Sequence, residues 1–178
     1  MIVFLDFEAS SLTKQSYPIE VAWVFEDGRS QSLLIKPNPD WTDWSDEAAL
    51  IHGITRDQLE DEGTEVRDVV AVMMEALSGN ELHASSPSWD GKWLSVLLRG
   101  AGVPRHALRL RKSDDLFAEA AQDILKNQSM DIDIRAMVAA VVAKTEPTDP
   151  PHRALPDAKL ELTRLRLVQD AARSIAVP

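Results

Sequence analysis

The chain begins with an unbroken apolar run, residues 1–5 (MIVFL), and then places two carboxylates, Asp6 and Glu8, on either side of Phe7. A short apolar run of this kind reads as a buried strand. Strand side chains alternate, so Asp6 and Glu8 share one face and Phe7 takes the other. Two like charges held that close repel each other unless a cation lies between them or the strand ends in water. A metal site and a solvated strand end are therefore both open from this stretch alone. A phosphoaspartyl centre is discounted, because such enzymes use D-x-D and the second acid here is Glu8.

Composition narrows the chemistry. With 178 residues, 44% of them hydrophobic and 27% charged, residues 1–178 fit a single globular domain with a sizeable core. The absence of cysteine excludes disulfides, thiolate nucleophiles and Cys-ligated metals. Any metal must then be held by carboxylate or imidazole, which favours hard ions such as Mg²⁺ or Mn²⁺. No stretch approaches the ~20 apolar residues of a membrane span, and residues 1–5 are too short for a leader, so a cytoplasmic location is expected.

The net charge of −10 argues against a general nucleic-acid coat, but it is unevenly spread. Residues 1–90 carry 18 acidic and 5 basic side chains, whereas residues 91–178 carry 11 and 14. A solvated acidic surface accounts for this as simply as metal ligands in one half and a polyanion contact in the other.

Periodicity predicts strands over residues 3–9, 19–27 and 30–36, the last two joined by a tight turn at Asp27-Gly28. Helices are predicted over 44–51 and 65–77, a strand over 81–85, a helix over 90–99 and a strand over 107–113. Three helices follow, over about 115–126, 131–143 and 156–175, the last two separated by a loop with four prolines, TEPTDPPHRALP. Three consecutive strands followed by alternating helix and strand predict an α/β fold: a mixed sheet of about five strands flanked by helices.

Two further stretches place acids where chemistry is feasible. In SPSWDGKWL, Asp90 opens a helix after a short strand, where an acid also serves as an ordinary cap. In PPHRALPDAKL, Asp157 follows Pro156 in the first turn of the last helix, and His152 projects from the proline-rich loop. A capping acid and a surface histidine describe these equally well when each is taken singly.

Taken together, these motifs resemble the DEDDh 3′→5′ exonucleases, the group that includes oligoribonuclease, ribonuclease T and the proofreading subunit of DNA polymerase III. DFEASSL is similar to the first motif of that family, WDGKWL to the second and HRALPDA to the third. IHGIT at residues 51–55 and PIEVAWV at the second strand resemble further family segments in the same order. Two departures stand out: Ser10-Ser11-Leu12 lacks the family's glycine, and Ser86 stands where the second motif commonly has Asn.

The resemblance implies a ribonuclease H-like fold and hydrolysis of single-stranded or short DNA or RNA from 3′ ends to nucleoside 5′-monophosphates. It implies two Mg²⁺ or Mn²⁺ ions, which at ~3.5–4 Å separation activate water and stabilise the developing oxyanions. Asp6 would bridge both ions, Glu8 and Asp157 would complete one site, and Asp90 would act through coordinated water. His152 would accept the water's proton, a task suited to an imidazole with an ordinary pKa of ~6.5. Phe7, Leu12 and Ile51 would contact substrate, although Leu12 and Ile51 read equally as core residues. The family also raises a homodimer as an expected assembly.

Arg99, Arg105, Arg109, Arg111 and Lys112 form a basic stretch that could track phosphates or simply solvate an edge strand. The low aromatic content, 6%, favours a short bound 3′ end over an extended single-strand groove. The rival readings are a catalytically silent nucleic-acid-binding or assembly module of the same fold, and a nuclease that cuts internally.

Overall fold

β1 (Ile2–Ala9), β2 (Pro18–Phe25) and β3 (Ser30–Lys36) form an antiparallel meander in which every residue of β2 is buried. The β2–β3 turn is made by Gly28 at φ 93°, a backbone region open to glycine at little steric cost, and Asp27 accepts a 3.0 Å hydrogen bond from the Arg29 amide. The structure is a computed structural model and describes residues 1–127, 132–149 and 151–176.

The chain continues through α1 (Asp46–His52), α2 (Arg56–Glu62), β4 (Thr64–Glu65), α3 (Val66–Leu77), β5 (Glu81–Ala84), α4 (Pro87–Gly100) and β6 (Leu110–Lys112). It ends in α5 (Ser113–Leu125), α6 (Ile134–Thr145) and α7 (Ala154–Ala176). The described strands form one mixed sheet of six in the order β4-β3-β2-β1-β5-β6, in which β5 runs parallel to both β1 and β6. The sheet thus has one strand more than the five expected, and the extra one, β4, is only two residues long.

Other differences from the sequence reading have local causes. α2 was not anticipated because Leu59 is its single buried residue, so it carries no apolar stripe; the Thr55 hydroxyl caps it by accepting from the Gln58 amide at 3.1 Å. The strand expected over 107–113 shrinks to the three residues of β6, because Leu108 is buried from a turn closed by the Ala107 amide on the Pro104 carbonyl. α4 begins at Pro87, three residues ahead of Asp90, and α7 begins at Ala154, two ahead of Pro156. The start of the helix expected over 131–143 lies outside the described residues; α6 begins at Ile134, where the Asp133 carboxylate caps the Ala136 amide.

The sheet separates two cores. Val3, Leu5 and Phe7 of β1 pack with α3 and α4, while Phe4 packs with α5, α6 and α7. This alternation fixes the face on which the odd-looking acids of β1 must emerge: Asp6 and Glu8 continue the row of Phe4 and face the α7 layer. No described helix is long and apolar enough to cross a membrane.

Candidate functional site

Asp6 and Glu8 lie near the C-terminal end of β1, just before a register irregularity between Glu8 and Ala9. Directly opposite Asp6 on β2 stands Ala22, so only a methyl group shares that position on the sheet, and α7 fits across β1 and β2. The fully buried Ala154 and Ala158 let the first turns of α7 approach closely. That approach delivers Asp157: one carboxylate oxygen from each of Asp6, Glu8 and Asp157 lies within 4.8 Å of the others.

The fourth acid arrives from the opposite layer. β1 and β5 are parallel, so α4, which follows β5, starts at the same edge of the sheet and brings Asp90 in through its first turn. Asp90 is only 3% exposed, and its Oδ2 is buried with no hydrogen-bond partner among the described residues. An acid that only capped a helix would have its oxygens on backbone amides or in water, so this orphan oxygen fits a ligand or ligand-water contact better.

Electrostatics point the same way. Burial, then the neighbouring carboxylates Asp90, Glu8 and Asp157, push the Asp6 carboxyl well above its usual range. Burial and Asp157 push Glu8 up to about 8, with Arg153 opposing. Burial also lifts Asp90 to about 7 against backbone hydrogen bonds from Ser86, Asp90 and Phe7, and it raises Asp157 against the attraction of His152 and Arg164. Buried carboxylates that crowd one another and resist ionisation fit a divalent-cation site, because a cation removes both penalties.

His152 is exposed at the foot of α7 with φ 44°, the sole positive φ among the described non-glycine residues. Leu12 and Ile51 are 71% and 58% exposed, which settles the choice between core and surface in favour of surface. Phe7 is the exception among the expected substrate contacts. It is 4% exposed and packed in the α3/α4 core, so its side chain has almost no surface to offer a substrate.

The rim contains residues that the motifs did not flag. Asp43 gathers the hydroxyls of Ser10, Ser11 and Thr13, and the Lys92 ammonium donates to the Thr13 carbonyl and the Ser16 hydroxyl. These bonds hold the loop that presents Leu12 without the glycine usual there. Trp89, stacked on Trp93 with centroids 5.5 Å apart and lying under the Lys92 ammonium, shares with Leu12, Thr13, Lys14 and Ser88 a cleft of about 390 Å³. Its signal in the sequence was an aromatic immediately before Asp90. Glu161, one turn after Asp157, is buried and bound to Arg164 at 2.8 Å.

A larger cleft of about 710 Å³ lies elsewhere, among β6, α5 and α6. Two cations of the basic stretch line it, Arg111 paired with Glu119 and Lys112 with Asp114 in ion pairs that are about half exposed.

No family model and no curated protein matches the sequence. Solved structures do match. A zinc-bound complex of E. coli exonuclease I with single-stranded DNA has a TM-score of 0.68 at 16% identity, covering 96% of this chain and 40% of that one. The E. coli enzyme with a dT13 oligonucleotide gives 0.69 at 15% identity, covering 98% and 42%. A moderately thermophilic exonuclease I from Methylocaldum szegediense gives 0.65 at 17% identity, again covering 98% and 42%. The chain therefore spans about two fifths of the length of these structures. Over that span it has their ribonuclease H-like fold, the fold that the sequence motifs led one to expect.

Proposed function

We propose that the protein is a metal-dependent 3′→5′ exonuclease that removes nucleoside 5′-monophosphates from the ends of single-stranded nucleic acid. The observation that carries this reading is the convergence of four acids from three separate parts of the chain: Asp6, Glu8 and Asp157 within ligand distance of one another, and Asp90 with a buried, unpartnered oxygen. The match to exonuclease I structures solved with single-stranded DNA supports DNA as a substrate.

Asp6, Glu8, Asp90 and Asp157 are the residues that would hold Mg²⁺ or Mn²⁺. When bound, such ions supply Lewis acidity for water activation and positive charge against the phosphoryl oxygens. His152 accepts the proton of the attacking water; its exposed position at the helix start leaves the imidazole free to reach solvent and substrate together. Leu12 and Trp89, which line one cleft, and the exposed Ile51 offer apolar surface on which terminal bases rest, stacking being open to any base because every base has a π face.

End-labelled single-stranded DNA and RNA, incubated with and without excess EDTA, test the proposal. Stepwise release of 5′-monophosphates from the 3′ end, abolished by chelation, is the expected result. Activity that persists in chelator, purely internal cleavage, or binding without hydrolysis overturns it.

A further inference from the structure

Glu20 is a buried acid in the middle of the sheet's most buried strand, only 2% exposed, and every bond it makes but one leads to the stretch that follows His152. Its Oε2 accepts from Arg153 Nε at 2.9 Å and from the Ala154 amide at 3.1 Å, and its Oε1 accepts from Arg153 Nη2 at 2.7 Å. The remaining partner, the Ser32 hydroxyl on β3, donates to Oε1 at 2.9 Å and fixes the carboxylate from the other side. A two-pronged guanidinium–carboxylate contact sets orientation as well as distance.

The anchored residues come directly after the one non-glycine residue described with positive φ. Such a conformation is strained for a residue with a side chain and persists only where the surroundings enforce it. On the amino side of His152 there is Pro151, with its own φ restricted; on the carboxyl side there are Arg153 and Ala154, both tied to Glu20.

We propose that Glu20 and Arg153 are positioning residues: through a bond network rooted in the sheet, they hold His152 in its left-handed conformation and so aim its imidazole at the metal-site carboxylates. This rests on the reading of His152 as the proton acceptor, and it assigns to β2 a part in catalysis although no side chain of β2 belongs to the candidate metal cluster. Lysine at position 153 keeps the charge but cannot reproduce the fork, and therefore isolates geometry from electrostatics.

The test compares wild type, Arg153→Lys, His152→Ala and the double variant in steady-state hydrolysis of a single-stranded oligonucleotide across pH, together with amide hydrogen exchange. Arg153→Lys is expected to lower kcat by up to ~10²-fold, the scale on which a reacting group misplaced by about an ångström costs rate. KM should stay within about twofold, and the Ala154 amide should exchange at least about tenfold faster while β1 and β2 amides stay protected. In the His152→Ala background, Arg153→Lys should cause no further loss, because a residue that acts only through another has nothing left to position.

A loss of equal size in both backgrounds, a loss carried by KM, or unchanged kcat with unchanged Ala154 exchange overturns the proposal. If the wild type hydrolyses nothing, the exonuclease reading fails first. The exchange measurement then rules on the clamp: protection lost at Ala154 upholds the anchoring, and protection retained removes it.

Discussion

Glu8 and Glu20 stand directly opposite each other across the β1–β2 pair, and the two carboxyls have opposite fates. Although burial alone would raise it, hydrogen bonds from Arg153, Ala154 and Ser32 hold Glu20 below the usual carboxylate range. Burial and Asp157 drive Glu8 up to about 8. One acid is saturated and serves the framework; its neighbour is crowded by Asp6 and Asp157.

Stability without divalent ions should fall as pH rises. In the unfolded chain these carboxyls titrate near ~4, whereas in the fold Asp90 and Glu8 titrate at about 7 and about 8, so between those limits the native state holds more protons than the unfolded one. Ionising them therefore destabilises the fold from roughly pH 4 upward, until the last has lost its proton near pH 8. Thermal melts in EDTA should show the midpoint decreasing over that window, and Mg²⁺ or Mn²⁺ should flatten the profile. Each kcal/mol of repulsion relieved corresponds to ~2–4 °C for a chain of this size. Asp6→Asn should lose most of the response to metal.

His152→Ala should lower turnover by ~10²–10⁴-fold while leaving the metal requirement unchanged, since the exposed imidazole lies outside the cluster of Asp6, Glu8 and Asp157. Asp157→Asn should behave differently and raise the metal concentration needed for any residual activity. Metal titrations of initial rate separate the two; matching curves would show that the histidine and the acid do one job.

Trp89→Ala should weaken oligonucleotide binding by ~1–3 kcal/mol per stacked base, and should also lower the thermal midpoint, because the residue is only 38% exposed and stacks on Trp93. Leu12→Ala, at 71% exposure, should act in the same direction by a smaller amount. Fluorescence anisotropy with EDTA present measures both without turnover.

Gly63→Ala should destabilise the fold by about 1–3 kcal/mol, as overpacking does. A Cβ there would sit 2.2 Å from the Leu59 carbonyl oxygen and 2.7 Å from the Lys36 amide nitrogen, both backbone atoms that cannot step aside. Urea unfolding followed by circular dichroism gives the value.

The residues best read from sequence are those whose neighbours along the chain set their position. Asp6 and Glu8 follow from strand alternation, and Asp157 from its place behind Pro156 in the first turn of α7, although that helix begins at Ala154 and not at the proline. The extended β1, β3 and α3 announced themselves by period, whereas α2 and β4 did not, being held by caps and by contacts distant in sequence. Glu20, Asp43 and Lys92 were illegible for a related reason: their partners lie 133, 32 and 79 residues away, and no local pattern marks such a bond. Phe7 shows the limit from the other side, since the family resemblance implies a substrate contact there while strand alternation sends its ring into the core.

The four acids are not contributed by one face of the molecule. Asp6, Glu8 and Asp157 meet in the layer of α7, and Asp90 enters from a helix of the opposite layer. On the proposed reading this arrangement is a safety catch: a nascent chain still lacking α7, or a molecule whose α4 has come loose, would be missing part of the proposed ligand set and would be inert towards nucleic acid. Loss of cleavage in a denaturant titration should accordingly come no later than the earliest structural transition, making hydrolysis a report on the completeness of the whole molecule.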